Sequence, residues 1–416
     1  MKKRKILMLS DHALSTSGVG CQSRFLANGL IATGKWSIRQ FGAALKHDNY
    51  DIVQLHEDFI IKPIDGFGDP NMLRVAIATE KPDLVLIFTD PRFFVWLWEM
   101  EDEVHQVCPI AYWHVWDNYP RPDFNDGYYE ATDLINCHSY LTYNIVKEKF
   151  PEKTNFIPHA LPEELFFPMS QFQKKTWKEK ILGAHNRNAF TVFWVNRNAK
   201  RKRPGDVLWA WKLFLDKIEN RDDAILLMHT DPNDQEGPNL IAVAEKLGII
   251  DRVMFSPERV DFEKMNILHN ISDCCINIAY AEGFGLATLE AMSVGNPIIA
   301  SKTGGLTRQV VDHRDGSENG VALDIKSKTL VGSQGVPYIY EDYSSVEDAA
   351  DAILKLYQMP EEEKNALSEK VKSYVADEFH MDTTISRWDE TLTKLCDEWE
   401  EGKRYTPRFE IKELEG

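Results

Sequence analysis

The chain has 416 residues, 43% of them hydrophobic, and a formal net charge of −17. That supports a large core but is too long for one typical domain, so two domains of about 150–200 residues each are expected. The acidic balance argues against loose, non-specific binding to nucleic acid without excluding a local basic cleft, and no apolar run reaches the length of a membrane span.

The basic start, residues 1–5, leads into a strand-like run and not into the apolar stretch of a signal peptide. Six cysteines (Cys21, Cys108, Cys137, Cys274, Cys275, Cys396) form no C-x-x-C pair and no zinc spacing. They read as reduced, buried thiols, and a cytoplasmic location is the expectation. Apolar runs at 6–9, 83–88, 109–113 and 134–138 read as strands of a first half. Runs at 190–195, 224–229, 252–255, 274–279, 297–301 and 321–325 read as strands of a second. They are near-continuous, not alternating, which is the pattern of parallel strands covered by helices on both faces. Strand and helix alternate in both halves, so each is expected to be a doubly wound α/β domain.

Between the halves, "IPHALPEELFFP" has three prolines in twelve residues, and a Lys-rich stretch follows. Proline continues neither a helix nor a central strand, so 158–183 reads as an inter-domain crossing. Near the end, Ile385, Trp388, Leu392, Leu395 and Trp399 fall on one stripe of a helix, a face for packing. The charged tail 402–416 is expected to be loosely held. The domains are expected at 1–168 and 184–375, with 376–416 as a closing helix.

Three loops are candidates for holding an anion. The first is "STSGVG", residues 15–20, after the first strand; its Gly18 and Gly20 lack the full G-x-G-x-x-G fingerprint, and no acidic partner stands about twenty residues on. An NAD-dependent oxidoreductase is disfavoured on that ground. The second is "VNRNAKRKRP", where Arg197, Lys200, Arg201, Lys202 and Arg203 form the densest basic cluster of an acidic chain. Cations at such a strand end suit a diphosphate, although a solvated basic turn would look the same. The third is "AEGFGLATLEAM": a strand, then Glu282, Gly283, Phe284 and Gly285, then a short helix from Leu286 carrying Thr288 and Glu290. Glycines admit a ligand close to the backbone, and a helix start favours an anion. Two carboxylates beside such a loop suit sugar and ribose hydroxyls. Their bland reading is a solvated loop residue and a helix-favouring one.

His114 ends a strand in "AYWHVWDNYP" among aromatics. It reads equally as a packed histidine and as a cleft residue. "DPND" at 231–234 reads as a proline-containing turn, with no metal expected.

Taken in order, the glycine loop, His114, the Pro-rich linker, the Arg197 and Lys202 pair and E-G-F-G-x-x-x-x-E resemble the retaining, nucleotide-sugar-dependent glycosyltransferases of family 4. The resemblance is strongest over 190–306. It implies a GT-B fold, two Rossmann-like doubly wound domains facing across a cleft. It implies a retaining hexosyl- or pentosyltransferase that uses a nucleotide-diphosphate sugar as donor and needs no metal or other cofactor. By that resemblance Glu290 holds the ribose, and Glu282 and the backbone of Gly283, Phe284, Gly285 and Leu286 meet the sugar. Arg197 and Lys202 neutralise the diphosphate, Thr288 adds a contact, His114 touches the transferred sugar or the acceptor, and Gly18 and Gly20 approach the phosphate or acceptor. The chain departs from the family at His159–Ala160–Leu161–Pro162, where an Asn-Gly-Val-Asp run is usual, and at Asn196, where a glycine is frequent. The choice among Lys200, Arg201, Lys202 and Arg203 stays open, as do the donor's base and sugar.

The acceptor is unspecified, with a glycan, lipid-linked group or small molecule favoured over nucleic acid. Trp96, Trp98, Trp113 and Trp116 are candidate stacking platforms for it. A transferase acting on a modified nucleic-acid base is the alternative that −17 disfavours. An inactive binding or scaffold protein of the same fold is a second alternative, disfavoured by the joint presence of Glu282, Glu290, Arg197 and Lys202.

Overall fold

A computed structural model describes residues 3–44 and 50–402. The basic start before Lys3 and the charged tail after Gly402 lie outside the described residues. The chain forms two compact units: Met1–Trp116 with Arg121–His159 and Asp382–Gly416, and Ala160–Met381 with Asp117–Pro120.

The first unit holds eight strands: β1 (Arg4–Asp11), β2 (Trp36–Ala43), β3 (Val53–His56), β4 (Phe59–Pro63), β5 (Leu84–Thr89), β6 (Ile110–His114), β7 (Leu134–Cys137) and β8 (Thr154–Phe156). Their order is β3-β4-β2-β1-β5-β6-β7-β8. Every pair is parallel except the edge pair β3 and β4. All six residues of β5 and all five of β6 are buried, as continuous apolar strands under helices on both faces must be. The sequence reading missed β2, whose "WSIRQFGA" breaks its apolar run with polar residues. Gln40 is buried there because its amide Nδ-like donor is used: Nε2 donates to Ser10 Oγ at 2.6 Å and to the Asp11 carbonyl at 2.9 Å.

The closing helix Met381–Glu400 completes this unit's core. Trp388 lies 4.9 Å from the Trp113 ring, and Trp36 Nε1 donates to Asp389 at 2.7 Å. Ile385, Trp388, Leu392 and Leu395 are buried, and Trp399 stacks on His105 at 5.4 Å. The apolar stripe read from the sequence is thus a packing face.

The second unit holds β9 (Phe190–Val195), β10 (Ala224–His229), β11 (Val253–Phe255), β12 (Cys274–Asn277), β13 (Ile298–Ser301) and β14 (Gly320–Leu323). They form one parallel sheet in the order β11-β10-β9-β12-β13-β14. A separate antiparallel pair, β15 (Ile325–Val331) and β16 (Ile339–Ser344), follows. Alternate residues of β9 enter opposite cores: Val192 and Trp194 pack with Trp211 and Ile353, and Phe193 packs with Leu227 and Ile267. The winding reverses between β9 and β12. In a doubly wound sheet, ligands bind beyond the carboxyl ends of the strands at that reversal.

The boundary differs from the crossing read at 158–183. The first unit ends at His159, and 160–183 belongs to the second. Helix Gln171–Leu182 lies in that stretch, started by a capping box between Ser170 and Gln173. Only Leu182 is fully buried on it, so its sequence shows little apolar stripe. The proline segment before it is pinned to helix Phe262–Asn270: Phe167 N donates to Asn266 at 3.2 Å and Met169 N to Asn270 at 2.8 Å. None of the six cysteines is in a disulfide, and five of them are buried.

Candidate functional site

Two loops leave the sheet at the reversal point, one after β9 and one after β12. The first makes a single 3-10 turn, Lys200–Lys202, and Arg203 then takes a left-handed conformation (φ 54°) before Pro204 starts helix Pro204–Leu215. This geometry separates the four basic residues. Arg203 is buried and holds the fold: it donates to the Ser344 carbonyl at 3.2 Å and to Asp206 at 2.6 Å, against the paired rings of Tyr280 and Tyr343. Lys200 is exposed. Arg201 donates to the Ala281 carbonyl at 3.3 Å and stands 3.7 Å from Asp117. Lys202 alone turns inward, and its ammonium is paired with the Glu282 carboxylate.

Both members of that pair are buried. Burial pushes the Lys202 ammonium below its ordinary value, and Glu282 only partly restores it. Burial alone would raise the Glu282 carboxyl, but Lys202 and Arg201 outweigh it and hold the group below the usual carboxylate range. The site therefore carries a charged pair, with Arg201 and Asp117 beside it.

The second loop is set by close backbone packing. Gly305 N donates to the Glu282 carbonyl at 2.8 Å. A methyl group on Gly304 would come within 2.0 Å of that carbonyl oxygen and 2.4 Å of the Asp117 carbonyl oxygen. Gly285 takes φ +93° and caps helix Leu286–Ser293. Gln309 Nε2 donates to the Phe284 carbonyl at 2.7 Å and to that of Gly285 at 3.2 Å. The Gly283 to Leu286 backbone is thus fixed by residues of the following loop and helix. Thr288, expected at a ligand, is fully buried; its hydroxyl serves the Gly285 carbonyl at 2.7 Å and Gln309 at 2.6 Å. Helix geometry turns this third residue of the helix back onto the loop carbonyl.

Glu290 is the fifth residue of the helix, and its Oε2 lies 3.0 Å from His269 Nε2. His269 is fully buried and Glu290 partly exposed. Arg197 is not brought to the Lys202 and Glu282 pair. Its exposed guanidinium donates to Asp234 at 2.7 Å and lies 3.1 Å from Glu236. Asp234 closes the "DPND" turn and Glu236 follows it; Asn233 N donates to Asp231 at 2.9 Å and Glu236 N to Asp234 at 3.0 Å.

In the first unit, His114 ends β6 with no exposure. Its Nε2 lies 2.6 Å from the Tyr129 hydroxyl, and burial, with His138 nearby, lowers its pKa to about 3. It is a neutral core histidine, because β6 is an internal strand covered on both faces. Gly20 N is taken by the Ser17 cap at 3.0 Å, and a methyl there would meet Ser15 Oγ at 2.1 Å; Gly18 opens the helix Gly18–Ala32 and is exposed. Gly20 thus serves tight packing of its own loop. Trp98, Trp113 and Trp116 are buried, Trp113 stacked 3.9 Å from Phe88, so these three are core residues; only Trp96 keeps part of its surface.

Sequence reading named Glu282, Lys202 and Glu290 as candidates but not the groups beside them: His269, Gln309 and Asp117. A single histidine in "ILHNISD" carries no spacing signal. Asp117 became visible only when residues 117–120 proved to belong to the second unit, tied by Asn118 Nδ2 to Asp342 at 2.7 Å. Among the described residues no cluster of three His, Cys, Asp or Glu is arranged for a metal ion. Among them, no helix is long and apolar enough to cross a membrane.

Residues 175–374 match the family of glycosyl transferases group 1. A D-inositol 3-phosphate glycosyltransferase 2 of Catenulispora acidiphila is 31% identical over 135 residues, 31% of either chain. An N-acetyl-alpha-D-glucosaminyl L-malate synthase of Bacillus anthracis is 27% identical over 225 residues, 51% of this chain and 52% of the relative. These matches span about a third to a half of the relatives' lengths. Among solved structures, sucrose-phosphate synthase from Thermosynechococcus elongatus superposes with a TM-score of 0.71 at 16% identity, over 94% of this chain and 99% of that one. Anabaena HepE in complex with UDP-glucose gives 0.69 at 16% identity, over 94% and 99%. At such identities the likeness is one of fold, and the fold is GT-B.

Proposed function

With residues 175–374 belonging to the glycosyl transferases group 1 family, we propose that the protein moves a sugar from a nucleotide-diphosphate sugar to an acceptor hydroxyl with retention of anomeric configuration. The observation that carries this reading is the buried Lys202 and Glu282 pair at the point where the β-sheet winding reverses. Lys202 has three N–H donors and spends one on Glu282, leaving others for a phosphate oxygen. Glu282 offers its remaining lone pairs to sugar hydroxyls, and Glu290 its free oxygen to the ribose.

Departure of the nucleoside diphosphate builds negative charge on phosphate. Lys202, Arg197 and the start of helix Leu286–Ser293 supply the opposing field, in the role a metal ion has in other transferases. Arg197 reaches the diphosphate by leaving Asp234. The Anabaena HepE structure, with UDP-glucose bound, makes UDP-sugars the first donors to try. A thermal-shift panel of nucleotide sugars tests the reading, followed by donor hydrolysis and product anomer analysis with the best binder. Activity is expected to survive EDTA. Absence of a shift with every nucleotide-diphosphate sugar would overturn the enzyme reading.

A further inference from the structure

The imidazole of His269 is fully buried and in contact with a proposed ligand-binding carboxylate, and the mechanism above does not use it. It projects from helix Phe262–Asn270. Phe193 of β9 meets its ring edge-on at 5.0 Å, and Phe166 of the proline segment at 6.1 Å. Asn296 Nδ2 donates to its carbonyl at 2.6 Å, so the backbone beneath the ring is fixed as well. Within this apolar cage Nδ1 has no hydrogen-bond partner, and Nε2 faces Glu290 Oε2 at 3.0 Å. A carboxylate oxygen only accepts, so the ring proton sits on Nε2 and donates to Glu290. The other titratable groups near the contact are His229 on β10 and Cys275 on β12.

We infer that His269 is the positioning residue of Glu290, locking one carboxylate oxygen so that the other stands ready for a ribose hydroxyl. This rests on the ribose role proposed for Glu290. A glutamate has three rotatable bonds, and an unheld one must be ordered by each ligand it binds. A carboxylate already fixed by a caged donor avoids that loss. The consequence is specific: His269 governs discrimination between ribose and 2′-deoxyribose in the nucleotide.

Isothermal titration with UDP, ADP and GDP and their 2′-deoxy counterparts tests this. The wild type is expected to prefer the ribonucleotide by about tenfold or more, the size of one well-made hydrogen bond to a charged group. His269→Phe keeps the ring volume and removes the donor; its preference is expected to fall to that of Glu290→Ala, and combining the two substitutions is expected to add nothing. His269→Gln restores an amide donor and is expected to recover the preference. Should the phenylalanine variant fail to fold, His269→Asn, too short to reach, takes its place with the same expected loss. If the wild type discriminates and the His269 variants discriminate equally well, or the double variant is additive, this inference falls while the donor reading stands. If no nucleoside diphosphate binds the wild type, both fall.

Discussion

Replacing Lys202 by methionine isolates the energetics of the candidate site. The ammonium is lost, the aliphatic stem is kept, and Glu282 is left buried with Arg201 and the Asn277 amide near it. Breaking a buried pair on one side typically costs about 3–5 kcal/mol. The structure sets an upper limit, because Glu282 can take up a proton instead. Neutralising an ordinary carboxyl at pH 7 means crossing about 2.7 pH units at about 1.36 kcal/mol each, so the penalty is capped near ~3.7 kcal/mol. The sign follows from Glu282. In the wild type its folded pKa is depressed, so its contribution is present above the unfolded carboxyl value and lost as pH falls through the folded one. In the variant burial is no longer outweighed and raises the folded carboxyl pKa instead, so the variant loses stability as pH climbs from about 4.5 toward that raised value, and the gap between the two proteins widens with pH over that range and narrows below it. Calorimetric scans of both proteins from pH 4.5 to 8 measure the gap. Adding Glu282→Gln to the variant is expected to recover most of the loss, since no unpaired charge then remains. A gap that stays constant across that range, or a double variant no more stable than the single one, would refute the assignment of a charged pair.

Other outcomes follow from the same geometry. Gly304→Ala is expected to push the Glu282 carbonyl aside and weaken nucleotide-sugar binding by about tenfold while leaving the far-UV circular dichroism unchanged, since overpacking shifts a loop before it unfolds a sheet. Asp234→Asn loosens Arg197 and is expected to tighten nucleoside-diphosphate binding by about fivefold at most, with the gain shrinking at high salt because the pair is exposed. Weaker binding in titration calorimetry would show that Asp234 itself aids the ligand. Gln309→Leu removes the donor to the Phe284 and Gly285 carbonyls and is expected to destabilise the protein by about 1–3 kcal/mol, read from chemical denaturation.

What could be read from the sequence was whatever is local. Strands such as β5 and β9 show as unbroken apolar runs because both their faces are covered. The loop carrying Glu282 shows because glycine, strand and helix start are neighbours in the chain. β2 did not show, because Gln40 is buried on partners from β1 and its loop. The short strands β3, β4 and β8 and the hairpin β15–β16 lacked a run long enough to stand out. Inside the basic cluster, charge was legible but direction was not. Only the left-handed turn at Arg203 decides that Lys202 points inward and Arg203 binds backbone. His114 reads two ways for the opposite reason: its place at a strand end is legible, but exposure depends on which neighbours cover the strand.

The route of the polypeptide has a consequence for synthesis. The chain leaves the first unit after His159 and returns to it only at Asp382. Arg4 of β1 binds Asp397 at 2.5 Å and the Thr393 carbonyl at 3.2 Å, so the first unit is closed by residues from both ends of the chain. The second unit is complete within 117–381 and can mature on the ribosome as soon as that stretch has emerged. The first unit, begun earlier, must wait for the last helix to cover Trp36 and Trp113. The unit that is translated first is therefore the one finished last, and a chain that stops short of residue 382 would release a mature second unit with an apolar, unfinished first one.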